Sequence, residues 1–215
     1  MEIEFYGANC FRIKTKNTII FIDDNLSTLG AKTVVKEKDA AAVLVTNSIV
    51  DVSESSKKAR LVLDGPGEYE VGDVSVSGIQ VRSHMDEEGA MTSTVYQCMF
   101  DNKTITILGH IHPDLSSELQ EYASGTDVLI VPVGGNGYTL DAVGATQVVK
   151  KLDPEVVIPA YYEDNSLKLE VPAAPLDEFV KTSALQVAEP VDVFKLGKVS
   201  PELSNKTHLQ VVNKK

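Results

Sequence analysis

The chain has 215 residues, 43% of them apolar, enough to bury a sizeable core in one large domain or two small ones. Its 31 acidic against 20 basic residues give a formal net charge of -11, a field that repels phosphate backbones and makes nucleic acid a disfavoured partner. Two cysteines, Cys10 and Cys98, are too few for a disulfide framework, and no apolar run approaches the ~20 residues of a membrane span.

The opening residues, MEIEFYG, are strand-like and acidic, without the basic start and apolar stretch of a signal peptide, so a cytoplasmic protein is expected. EIEFYG, CFRIKTK and TIIFIDD alternate apolar and polar residues, the mark of a strand meander. AAAVLVTN is a continuous apolar run of the buried-strand kind. ARLVLDGPGEYEVGDVSVSGIQVRS reads as several strands around a Gly-Pro turn, and STVYQCMFDNKTITILGH as a hairpin turned at Asp101 and Asn102. Helices are sparse before residue 113.

Beyond it the pattern changes to strands alternating with helices. DLSSELQEYAS predicts a short helix capped by Ser116 or Ser117, and TDVLIVPVGG a buried strand. TLDAVGATQVVKKLD places Leu140, Val143, Val148, Val149 and Leu152 at near-helical spacing with Thr139 as N-cap. PEVVIPAYY is another buried strand, and APLDEFVKTSAL another helix with Asp177 and Glu178 in its first turns. No Pro- or Gly-rich linker interrupts the order, so one domain over residues 1–215 is expected, of α+β class with helices outside packed sheets.

Six segments together resemble a known family: YGANCFRI, TIIFIDD, DGPGEYEVGDVSVSGI, ITILGHIHPDLSSEL, VPVGGNGYTLDAVGATQVVKKLDPEVVIPAYY and the final helix. In order and spacing they are similar to the metallo-β-lactamase-fold Zn-dependent hydrolases, in particular the ascorbate phosphate lactonase-like branch. The resemblance spans roughly residues 1–200. It implies a four-layer αβ/βα sandwich with a metal cleft at one edge of the sheets, where one or two divalent ions activate a water for hydrolysis.

The same resemblance locates the expected ligands. Relatives carry T-H-x-H-x-D-H after a buried strand, and here the row reads VTNSIVDVSE: Asn47, Ile49 and Val52 stand at the histidine positions and Asp51 at the aspartate. The bridging aspartate becomes His110, the late histidine becomes Tyr161, and the early glycine-histidine pair becomes Gly7 and Ala8. A further family histidine matches His84, and Asp23 matches a position behind the ligands. Isoleucine and valine offer no lone pair, so a dinuclear site on the family plan is not expected.

What remains divides into two readings. One is a hydrolase homologue that holds no metal and acts as a binding or scaffold protein for a small molecule or another protein; a homo-oligomer is compatible with it. The other is a divergent hydrolase with one Zn or Mn ion on Asp51, His84 and His110, cleaving a small phosphorylated or lactone-type substrate. His112, two residues from His110, would share its face on a strand. Asn47, Glu68, His112, Gly135, Tyr138 and Tyr161 are expected to line the cleft. Asp23 and Asp24 read as solvated strand-end acids, Asp64 as a turn cap and Cys10 as a core thiol. No G-x-S-x-G elbow or phosphate-binding loop is present, so no catalytic residue is assigned.

Overall fold

In the computed structural model, which describes residues 1–36, 40–197, 203 and 206–215, the strands form where the alternation places them. β1 (Glu2–Gly7), β2 (Cys10–Lys14) and β3 (Ile19–Ile22) make the antiparallel meander, and β4 (Ala42–Leu44) and β5 (Val62–Leu63) continue it in parallel. A one-turn helix, α1 (Glu54–Lys57), precedes β5 and is capped by Ser53. β6 (Gly67–Val71), β7 (Val74–Val81), β8 (Ser93–Phe100) and β9 (Lys103–Ile107) form a second antiparallel run. Asp101 and Asn102 turn its last hairpin with φ of 53° and 57°, the left-handed pair that a tight hairpin turn requires.

Helix α2 (Ser117–Tyr122) starts on Ser116, whose hydroxyl accepts the Leu119 N–H. β10 (Val128–Pro132), α3 (Ala142–Leu152), β11 (Val156–Ala160) and α4 (Leu176–Ser183) supply the strand-helix alternation. The N-cap of α3 is Asp141, which accepts the Gly144 N–H at 2.7 Å, and not Thr139 as expected. Residues 135–140 close on themselves through the Gly135 N–H to Leu140 carbonyl bond, which keeps Thr139 in the preceding loop. Val143, placed by spacing on the buried stripe, is 55% exposed. Short strands β12 (Gln186–Val187), β13 (Phe194–Lys195) and β14 (His208–Leu209) complete the sheets.

The first sheet runs β13-β1-β2-β3-β4-β5 and the second β12-β14-β11-β10-β9-β8-β7-β6. Their inner faces meet in a core that pairs Phe5, Phe11, Ile13 and Leu44 with Tyr96, Ile105, Ile130 and Ile158. The outer face of the second sheet buries Leu129, Val131 and Val157 against Leu119 of α2, Val148 and Leu152 of α3 and Phe179 of α4. Over the first sheet, Phe21 and Val43 pack under Val35, Val50 and Val52, so that outer layer is mostly loop beside the one-turn α1. The result is the expected α+β sandwich. Among the described residues no helix is long and apolar enough to cross a membrane.

Candidate functional site

β3, β4 and β5 are parallel, as are β9, β10 and β11, and the loops leaving β3, β4, β9, β10 and β11 open on one edge of the sandwich. The carboxyl ends of parallel strands are where such sheets gather polar side chains and exposed backbone. Here they deliver Asp23 after β3, Thr46 and Asn47 after β4, His110 after β9, Tyr138 after β10 and Tyr161 after β11. The β1–β2 turn adds Ala8 and Asn9, tied to the end of β11 by the Tyr161 N–H to Ala8 carbonyl bond at 2.9 Å. Ala8, Asp23 and Tyr161 all have φ near +50°, strained for residues other than glycine, and all line the same small cavity.

His110 sits at the centre. Its ring meets Tyr138 and Tyr161 edge-on, with centroids 4.6 and 5.2 Å away. Nδ1 lies 3.3 Å from the Tyr138 carbonyl, which can only accept, so Nδ1 carries the proton. Nε2 lies 3.0 Å from Nδ2 of Asn9 and takes its N–H. Burial holds the imidazole down at about 4, so it is neutral at physiological pH with both nitrogens committed. Around it, Leu26, Leu29 and Leu167 pack with the two tyrosines, leaving a cavity of about 10 Å³, room for one water-sized group.

The VTNSIVDVSE row divides between core and surface. Thr46 is buried and donates from both its N–H and its hydroxyl to Asp23, at 2.8 and 2.5 Å. Asn47 donates to Ser83 and Ser93 at 3.0 and 2.6 Å and accepts the Ile49 N–H at 2.9 Å. The two serines in turn donate to the His110 carbonyl. Ile49 is 44% exposed and Val52 is buried in the apolar layer over the first sheet. Asp51 projects from the surface, its side chain 70% exposed and paired with Lys57 at 2.9 Å.

Asp51, His84 and His110 therefore do not come together: among the described residues no three His, Cys, Asp or Glu side chains are grouped to hold a metal. His84 and His112 stack loosely, ring centroids 6.1 Å apart, and His112 Nδ1 already accepts the Asp114 N–H. His110 is buried and His112 half-buried; the expected common face does not bring His112 into contact with the tyrosines around His110. Glu68 faces outward on β6 beside a surface groove of about 300 Å³ that also holds Met99 and Thr104, not in the cavity at His110. Gly135 serves the loop ahead of α3, at a φ of 68° with Asp141 pressed against it.

Asp23 and Asp24 are not solvated as expected but fully buried, because the loops after β4 and before α1 fold over them. Asp24 accepts from Thr33, Val34, Val35, Ser53 and Ser56, which together close the outer loop layer. Asp23 is raised by burial to about 7, against the lowering effect of its Thr46 bonds. Cys10 and Cys98 are buried free thiols; burial raises both, Cys98 to about 12, so neither is a thiolate nucleophile at neutral pH. Sequence reasoning missed Asn9, Asn25 and Glu170 at the cavity; only Asn9 had a signal, its place beside the early Gly-Ala pair.

The donor set does not fit the dinuclear metal centre that the fold family implies. Asn47 is saturated by serines, Ile49 and Val52 have no lone pair, Asp51 points to solvent, and the His110 lone pair is occupied by Asn9.

Residues 2–161 match the β-lactamase superfamily domain. A UPF0173 metal-dependent hydrolase of Listeria welshimeri is 24% identical over 231 residues, covering 90% of this chain and all of that protein. A UPF0173 protein of Pyrococcus abyssi is 23% identical over 184 residues, covering 75% of this chain and 83% of its own length. Among solved structures, one from Thermotoga maritima described as a Zn-dependent hydrolase of the metallo-β-lactamase superfamily superposes with a TM-score of 0.68 at 20% identity, over 99% of each chain. A metallo hydrolase of Ignicoccus hospitalis gives a TM-score of 0.61 at 18% identity, over 99% of this chain and 94% of its own. Family and architecture agree: this chain belongs to the β-lactamase superfamily and has the metallo-β-lactamase fold.

Proposed function

We propose that this protein is a non-catalytic member of the superfamily, working in the cytoplasm as a binding protein in which a hydrogen-bonded imidazole–tyrosine cluster stands where relatives hold metal. The observation that carries this reading is the engagement of both His110 nitrogens, by Asn9 and by the Tyr138 carbonyl. A metal would have to break the first bond inside a buried site and recruit ligands that lie on the surface. A cavity of about 10 Å³ also leaves no room for a hydrolysable substrate beside it.

The competing reading, one Zn or Mn ion on a rebuilt site, has one feature in its favour: His84 Nδ1 is buried with no hydrogen-bond partner, near His112. His112 weakens it, since Nδ1 accepts from Asp114 and Nε2 then carries the proton, leaving no lone pair for a metal. Metal content measured after purification from zinc- and manganese-supplemented cultures tests both. We expect no stoichiometric ion and a denaturation curve indifferent to chelators; a stoichiometric ion lost on His110→Ala would overturn the non-catalytic reading.

A further inference from the structure

The cavity beside His110 is lined by a buried carboxyl group, Asp23, with no cationic partner among the described residues. Asp23 is 1% exposed and has no ion-pair partner among the described residues; only the N–H and hydroxyl of Thr46 bond it. A carboxylate removed from water must take up a proton or acquire a cation. Next to it on the cavity wall, Oδ1 of Asn25 is buried and receives no donor. The wall continues with Glu170, Tyr138 and Tyr161, and among the described residues it includes no lysine or arginine. Its two acidic groups are the only sources of charge on the described wall besides the neutral His110, and Asn25 Oδ1 lacks a hydrogen-bond donor.

We propose that this cavity binds one ammonium-type cation, either ammonium itself or the terminal ammonium of a small primary amine. Asp23 supplies the counter-charge, Asn25 Oδ1 an acceptor, and Tyr138 and Tyr161 the aromatic part of the wall. Size and chemistry agree. A space of about 10 Å³ admits one group the size of water, and ammonium is such a group with four N–H donors. Aromatic walls favour a weakly hydrated nitrogen cation over a hard metal ion. This assignment rests on the reading that the cleft holds no Zn or Mn.

The test titrates the purified full-length chain with ammonium chloride and, separately, methylammonium chloride, against sodium chloride at equal ionic strength. Thermal unfolding and calorimetry are the readouts. A saturable rise in Tm with ammonium and none with sodium is expected; an equal rise with methylammonium identifies the terminal ammonium of a primary amine, and a rise with ammonium alone identifies free ammonium. Asp23→Asn should abolish it, and Asn25→Ala, outside the buried carboxylate network, should weaken affinity about tenfold through one lost hydrogen bond. Identical ammonium and sodium curves for the parent, or an undiminished ammonium response in Asn25→Ala, would overturn the inference. Metal content of the same sample separates the two failures: metal-free protein without an ammonium response sinks only this assignment, whereas stoichiometric zinc sinks the reading beneath it.

Discussion

Nδ2 of Asn9 and Nε2 of His110 lie 3.0 Å apart, joining the β1–β2 turn to the end of β9 across 101 positions of sequence. With the Tyr138 carbonyl holding the proton on Nδ1, that bond occupies the ring's lone pair and withholds it from any other partner.

Removing the donor tests it. Asn9→Leu leaves a buried ring nitrogen with nothing to accept from, and urea denaturation should show a loss of about 1–3 kcal/mol. His110→Phe in the Asn9→Leu background should restore part of that loss, because both polar partners are then gone.

The two titrating groups at the cavity pull stability in opposite directions. His110 has its folded-state value depressed to about 4, so its contribution is present above the unfolded value of about 6.5 and is lost as pH falls from there towards 4. Asp23 has its value raised to about 7, so the folded state holds the proton more tightly and stability declines as pH rises from about 4 to 7. Over the shared window the slopes offset each other in the parent. Unfolding midpoints measured from pH 4 to 7 should show Asp23→Asn losing stability on acidification relative to the parent, by up to roughly 3 kcal/mol. His110→Gln should show the reverse trend. A parallel pH profile for all three proteins would contradict both assignments.

Two aspartates on the loops over the first sheet should behave differently. Asp24 is fully buried and accepts from two backbone N–H groups and three hydroxyls, so Asp24→Ala is expected to destabilise the fold by about 3 kcal/mol or more. Asp51→Ala removes only an exposed pair with Lys57 and should leave the urea midpoint unchanged within error. A large effect of Asp51→Ala in the presence of zinc, and none in its absence, would point to metal binding at that residue.

Gly109 adopts a φ of 59° directly before His110, and a Cβ there would run into the Thr46 side chain. Gly109→Ala is expected to lose about 2 kcal/mol or more, from left-handed strain plus collision. Gly89→Ala, at a φ of 88° with open space around it, suffers the strain alone and should lose less. Thermal unfolding of the pair separates the two terms.

Much of the architecture was legible because strands and helices write themselves locally. The Asp101–Asn102 turn, the Ser116 cap and the apolar runs at Val128–Pro132 and Val156–Ala160 depend on neighbours a few residues away. Thr139 and Val143 misled because a loop closing on itself from Gly135 to Leu140 shifts the start of α3 to Asp141. Asp23 and Asp24 misled for a larger reason: an acid at a strand end is solvated unless something distant covers it, and Thr46, Thr33 and Ser53 do so from other segments.

The sequence by itself determined the order and type of the elements through local apolar period and turn residues, and its motifs carried the resemblance to the superfamily and, through that resemblance, the residues standing at the ligand row. Tertiary structure alone decided that Asp51 faces water, that Glu68 belongs to another surface, and that Asn9, Asp23, Asn25 and Glu170 gather around His110. The physical reason is range. Backbone propensity and apolar period act over a few residues, whereas burial, hydrogen-bond partnership and the charge state they impose arise only when loops from distant strand ends share one small volume.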